Sequence, residues 1–167
     1  LLGICCILLG CRDQPAQKSG LDPGEVTSIW KPIYASGFSA EHTRSGVVFL
    51  KVHNPWPGAS RTFTYALVPR EQLGNFALNK DSLDGVIPVP AARIILTSTT
   101  HIPSMESLGM EDRIVGFPGL DLISSPKTRK RLEAGEIREL GANEQLNTEL
   151  VLSLQPDLVI GFGVNGA

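Results

Sequence analysis

Few side chains in this chain stand at spacings that could do chemistry, and the histidines come first. There are three, His42, His53 and His101. No H-x-x-x-H or H-x-x-E spacing joins any of them to a second ligand. His101 therefore reads as a helix-start or loop histidine, and no metal site is expected. The three cysteines, Cys5, Cys6 and Cys11, all fall in the first eleven residues. The remaining body thus excludes thiol catalysis, C-x-x-C redox chemistry and cysteine-bound zinc. No nucleophile stands beside a base and no carboxylates are paired for acid-base work, so catalytic residues are expected to be none.

Two patterns imitate known chemistry. Gly161-Phe162-Gly163-Val164-Asn165-Gly166 fits G-x-G-x-x-G directly after an apolar run, the arrangement that seats a pyrophosphate on a helix N-terminus. That motif belongs to a first βα unit with a helix and an acidic residue ~20 positions on. Here it comes last. Ser124-Ser125-Pro126-Lys127 is formally the S-x-x-K of penicillin-binding proteins, but neither partner motif accompanies it and the proline disfavours the required helix start. It reads as a turn into a helix.

The elements that must position any site fall into two kinds. Val47–Val52 and Thr62–Val68 read as strands, the second alternating Phe63, Tyr65 and Leu67 on one face, with Asn54-Pro55-Trp56-Pro57-Gly58 as a long hairpin loop between them. Asp81–Pro90, with Gly85, Pro88 and Pro90, reads as a connector. From Ala92 strands and helices alternate. Arg93–Thr97, Arg113–Phe117 and Ile137–Leu140 read as strands, and Pro103–Leu108 and Pro126–Leu132 as helices. Leu146–Gly161 then packs a helix and a strand together, with Leu150 to Ile160 expected as core. Asn147 is its N-cap, Glu149 stands in the first turn, Pro156 stops the helix, and Leu158-Val159-Ile160 reads as a parallel strand covered on both faces. This alternation predicts an α/β layer with a parallel sheet, preceded by a β-rich segment.

Composition agrees with a sizeable core. The chain has 167 residues, 42% of them apolar, and a net charge of −2. That balance gives no reason to expect nucleic acid. The one basic cluster, Lys127 to Arg131, is followed by Glu133 and Glu136 and reads as a solvated helix. Leu1–Gly10 carries no charge and is too short to span a bilayer, which needs ~20 apolar residues. It reads as a signal-peptide remnant. Residues 11–24, with Pro15, Gly20, Pro23 and Gly24, read as a flexible tether. No returning helix follows Ile160 before Ala167, so the chain is expected to stop inside a longer reading frame.

Two resemblances add to this. Leu8-Leu9-Gly10-Cys11 resembles the lipobox of bacterial lipoproteins, which implies cleavage before Cys11, its acylation, and a periplasmic or extracytoplasmic, membrane-anchored location. Residues 92–166 resemble the first lobe of the periplasmic substrate-binding proteins of ABC importers for cobalamin, ferric siderophores and haem. The matching blocks are Arg93-Ile94-Ile95-Leu96-Thr97-Ser98, Ser107 through Gly116, and Asn147-x-Glu149 through Leu154-Gln155-Pro156-Asp157-Leu158-Val159-Ile160. Tyr34-Ala35-Ser36-Gly37-Phe38 and Asn54-Pro55-Trp56 look like the β-rich N-terminal extension of some branches of this group. The expected organisation is a signal remnant (1–10), a tether (11–24), a β-rich segment (25–90) and an α/β lobe (91–167) whose linker helix and partner lobe lie beyond it.

The resemblance implies a metal chelate as ligand, with no cofactor, and a permease with its ATPase as partners. Pocket residues are expected in the loops at the carboxyl ends of the strands: Thr99, Thr100 and His101, then Phe117, then Phe162 and Asn165. Phe162 falls where the cobalamin-binding member carries an aromatic. Phe162 and Phe117 equally suit a role in capping the sheet's core. Glu149 falls where the family docks a surface glutamate on a permease arginine, and a carboxylate there also complements the helix N-terminus. Two other readings stay open: an exported α/β hydrolase-like enzyme with its catalytic residues further along, and a non-transport sensory or structural lipoprotein.

Overall fold

A computed structural model describes residues 24–75, 82–142 and 145–161. The expected signal remnant (1–10), almost all of the expected tether (11–24) with Cys11, and Phe162 and Asn165 lie outside these residues. The protein is a mixed α/β structure in which a β-rich layer precedes a parallel sheet with helices.

Strands β1 (Val26–Trp30), β2 (Phe38–Thr43), β3 (Val48–His53), β4 (Thr62–Pro69) and β5 (Gly85–Val89) form one sheet in chain order. Pairing is antiparallel as far as β4, and β5 runs parallel to β4. The connector expected at Asp81–Pro90 thus contains a strand. It is an edge strand, where Pro88 needs no ladder partner for the N–H it lacks. On β4 the fully buried side chains are Ala66 and Val68, packed with Val47, Phe49, Leu83 and Val86, whereas Phe63, Tyr65 and Leu67 on the other face stay half-exposed.

The parallel sheet comprises β6 (Ile94–Leu96), β7 (Ile114–Phe117), β8 (Arg138–Glu139) and β11 (Leu158–Ile160), in the order β11-β6-β7-β8. A short ladder of β9 (Gly141–Ala142) and β10 (Gln145–Leu146) follows β8. Helix α1 (Ile102–Ser107) and α2 (Pro126–Glu133) lie on one face, where Ile102, Met105, Ile123 and Leu132 pack with Ile94, Leu96, Ile114 and Phe117. On the opposite face Leu140 and Leu154, the residue after helix α3 (Thr148–Ser153), close over Gly116. A Cβ there would lie 2.9 Å from Leu140 Cδ1 and 3.1 Å from Leu154 Cδ1, so a larger residue would require these leucine ends to shift.

One expectation for the last helix is corrected. Helix α3 ends at Ser153 with Leu154 as its C-cap, and Gln155 turns left-handed (φ 44°) directly before Pro156, whose ring disfavours a helical conformation at the preceding residue. Its apolar residues are not core: none is buried, and Leu152 is 69% exposed. Among the described residues, strand β11 lies at the sheet edge and is covered on one face only. Leu158 and Ile160 pack on the core, and Val159, pointing the other way, is 45% exposed.

Asp157 joins the two layers. Its Oδ2 accepts from the Ala92 N–H at 2.7 Å, the Arg93 N–H at 3.0 Å and Arg70 Nη2 at 2.6 Å. Arg70 also donates to the Pro90 carbonyl at 3.0 Å.

Candidate functional site

The parallel sheet reverses its winding once. From β6 the chain steps outward to β7 and β8, and β11 then returns to the other side of β6. At such a reversal the loops leaving two neighbouring strands diverge, and a crevice opens outside their carboxyl ends, where open α/β sheets hold ligands. By that rule the position for it here is between β6 and β11. The strand ends are joined by the Thr97 N–H donating to the Ile160 carbonyl at 3.0 Å. A Cβ on Gly161 would sit 3.3 Å from Thr97 Oγ1, so Gly161 lies close against the Thr97 side chain.

One wall is the 3-10 turn Thr99–His101, which leads directly into α1. Ser98 caps it: Oγ accepts from the Thr100 N–H at 3.3 Å and lies 2.9 Å from Thr100 Oγ1. Thr99 and His101 are half-buried and Thr100 is exposed. The His101 Nδ1 is enclosed without a hydrogen-bond partner among the described residues. This wall presents hydroxyls and an imidazole, groups suited to hydrogen bonding a polar ligand rim.

The loop after β7 is positioned differently from expectation. Phe117 is 1% exposed and belongs to the core, so its ring offers no face to a ligand and the capping role holds for it. Gly119 follows in a left-handed conformation (φ 68°) and opens the turn Leu120–Leu122. Glu139, at the end of β8, clamps this loop. Its Oε1 accepts from the Gly119 and Gly141 N–H groups and its Oε2 from that of Leu120, each at 2.9 Å. Burial opposes the charge. The amides of Leu120, Gly119, Gly141 and Leu140 outweigh it, and hold the carboxyl below the usual glutamate range.

Glu149 lies at the same end of the sheet. Asn147 Oδ1 accepts from the Leu150 N–H at 3.0 Å, and the Asn147 N–H donates to the Leu140 carbonyl at 2.9 Å just past β8. The first turn of α3 is therefore level with the crevice loops, with Glu149 exposed.

Behind the site the polar side chains of α1 and α2 are engaged with one another. Ser125 is the N-cap of α2, as a turn into a helix requires, and its hydroxyl donates to Glu106. Thr128 Oγ1 donates to the same carboxylate at 2.6 Å, and the two hydroxyls lower the Glu106 pKa. Lys127 pairs with Glu111, which lowers the Glu111 pKa in turn. The basic cluster is less solvated than expected. Arg129 donates to the Ile123 carbonyl at 2.9 Å, and the Arg131 side chain, 18% exposed, bonds the Glu111 and Ile114 carbonyls.

The structure thus gathers Thr99, Thr100 and His101 at the crevice, sets Glu149 at its end of the sheet and withdraws Phe117. Nothing in the sequence marks the roles of Glu139 and Asp157 outright. The one available signal was a carboxylate next to a strand end, flanked by glycine or proline. No protein-family model matches the chain, and no curated protein matches it.

Proposed function

We propose that this chain is the lipid-anchored, extracytoplasmic solute-binding component of an ABC importer. Its α/β layer is the first of two lobes, and its ligand is a metal chelate of the cobalamin, ferric siderophore or haem type. The observation that carries this reading is the reversal of strand order between β6 and β11, with Thr99, Thr100 and His101 on one wall of the crevice. Half a crevice suits a ligand held between two lobes. Phe162 and Asn165, next along the chain from Gly161 and outside the described residues, are assigned to the same ligand, and an aromatic ring such as that of Phe162 suits the flat face of a chelate. Glu149, exposed at that end, meets an arginine of the permease, whose ATPase drives release.

Equilibrium dialysis of the full-length protein against cobalamin, haem and ferric siderophores tests the reading. Saturable one-to-one binding of one of these is expected. A folded protein that retains none of them would overturn it.

A further inference from the structure

One face of the N-terminal sheet is apolar across four strands. Residues opposite one another in a sheet share a face, and register and ring contacts together give a continuous apolar path. The Trp30 ring lies 5.8 Å from that of Phe38, Phe38 is opposite Val52, Val52 is opposite Phe63, and the Phe63 ring lies 5.8 Å from that of Trp56. Ala40, Leu50 and Tyr65 form the next row on the same face. The sheet's own core, around Val47, Ala66 and Val68, is on the other side. An open groove of about 560 Å³ runs along the apolar face past Phe38, Leu50 and Val52.

What borders this face distinguishes among occupants. The only tryptophans of the chain, Trp30 and Trp56, are 52% and 56% exposed, and beyond Trp30 the turn carries Ile33 and Tyr34 at 91% and 100%. Lys31 is the sole charged residue in 26–37, and Arg61 the sole one in 54–63. Arg61 lies 4.3 Å over the Phe63 ring and pairs with Asp84, and its side chain is 65% exposed. Exposed indole and phenol rings beside cations match the headgroup layer of an anionic bilayer, where tryptophan and tyrosine sit at the interface and lysine and arginine meet the lipid charge.

We propose that this face docks on an anionic lipid bilayer. The chain sets the reach: the fourteen residues 12–25 between Cys11 and β1 span about 50 Å at most, enough for the sheet to lie against the membrane that holds the anchor. For that proximity the proposal rests on the lipid-anchor reading. Its docking chemistry does not.

Residues 11–167 carrying Cys11→Ser, and so unacylated, are mixed with vesicles of three parts phosphatidylcholine to one part phosphatidylglycerol. Co-flotation is expected, with a blue shift of tryptophan emission and quenching by lipids brominated near the headgroup. In the Ile33→Ser/Tyr34→Ser variant, whose sites are exposed enough to leave folding unchanged, partitioning falls roughly tenfold or more. Circular dichroism checks that both chains are folded. Folded protein that neither floats nor is quenched overturns the proposal, as does equal binding by the variant. So does concentration-dependent dimerisation in lipid-free buffer that itself shifts the tryptophan emission, since a second copy then covers the face. Failure of chelate binding or of acylation would leave these vesicle results standing.

Discussion

The Arg70 guanidinium meets the Asp157 carboxylate at 2.6 Å across 87 residues of sequence, and the same oxygen takes two backbone amides from Ala92 and Arg93. One carboxylate thereby fastens the β-rich layer, the segment leading into the parallel sheet and the start of β11. Its side chain is 11% exposed. Burial works against its charge, but the Arg70 bond and the two amides prevail and hold the pKa below the usual aspartate range.

Asp157→Ala leaves three donors without their acceptor, which corresponds to a loss of about 1–3 kcal/mol of stability. Asp157→Asn keeps one acceptor oxygen and is expected to lose less. Urea unfolding followed by circular dichroism measures both. An Asp157→Ala protein as stable as the parent would show that the junction is held by other contacts.

Acid should loosen the fold. Asp157, Glu139 and Glu106 all have folded-state pKa values below their unfolded ones. The stabilisation they give is therefore complete above the unfolded carboxylate range and disappears as pH falls through the lowered folded values. The melting temperature should hold near neutrality and drop below about pH 4. The Asp157→Asn/Glu139→Gln double variant should melt lower at neutral pH and show a shallower drop. A variant with the parental slope would remove these two carboxylates as its source.

Gly116→Ala places a methyl group against Leu140 and Leu154, and overpacking of this kind costs about 1–3 kcal/mol. Adding Leu140→Val to that variant should recover part of the loss, because Leu140 makes the closest contact. Thermal melts of the two single variants and the double variant give the coupling. Additive effects would mean that the contact is not the cause.

On the proposed importer function, Glu149→Arg separates docking from capture. The side chain is exposed, and the N-cap bond that starts its helix comes from Asn147. Ligand affinity should therefore stay nearly unchanged while uptake into cells is abolished. Reversal of charge at the first turn costs only about 0.3–1 kcal/mol of helix stability. Undiminished uptake would remove Glu149 from the docking surface.

Local signals in the sequence marked the elements well wherever the cause was local. Asn147 as N-cap, Ser125 before Pro126, and the strand-helix alternation from Ala92 all have partners within a few residues. Strand β5 was hidden because Gly85, Pro88 and Pro90 are breakers in an interior strand and harmless at an edge. Which face of β4 was buried could not be read either, since alternation fixes two faces without saying which one meets a core. Glu139 and Asp157 were invisible for another reason. Their donors lie 19, 20, 64, 65 and 87 residues away, apart from the neighbouring Gly141, and only the folded topology brings them together. At the candidate site the crevice loops were legible, but the burial of Phe117 was set by helices packed from elsewhere.

The strand order carries a consequence for the path of folding. Strand β6 stays an open edge until β11, more than sixty residues later, slides in beside it, and the Asp157 bonds to Ala92 and Arg93 close in the same movement. Parallel pairing over so long a loop is slow, because chain entropy is lost before the contacts that compensate it form. Antiparallel neighbours such as β3 and β4 close early. The crevice and the junction between the layers are thus products of one late step, and substitutions at either should slow refolding while leaving the early hairpins untouched.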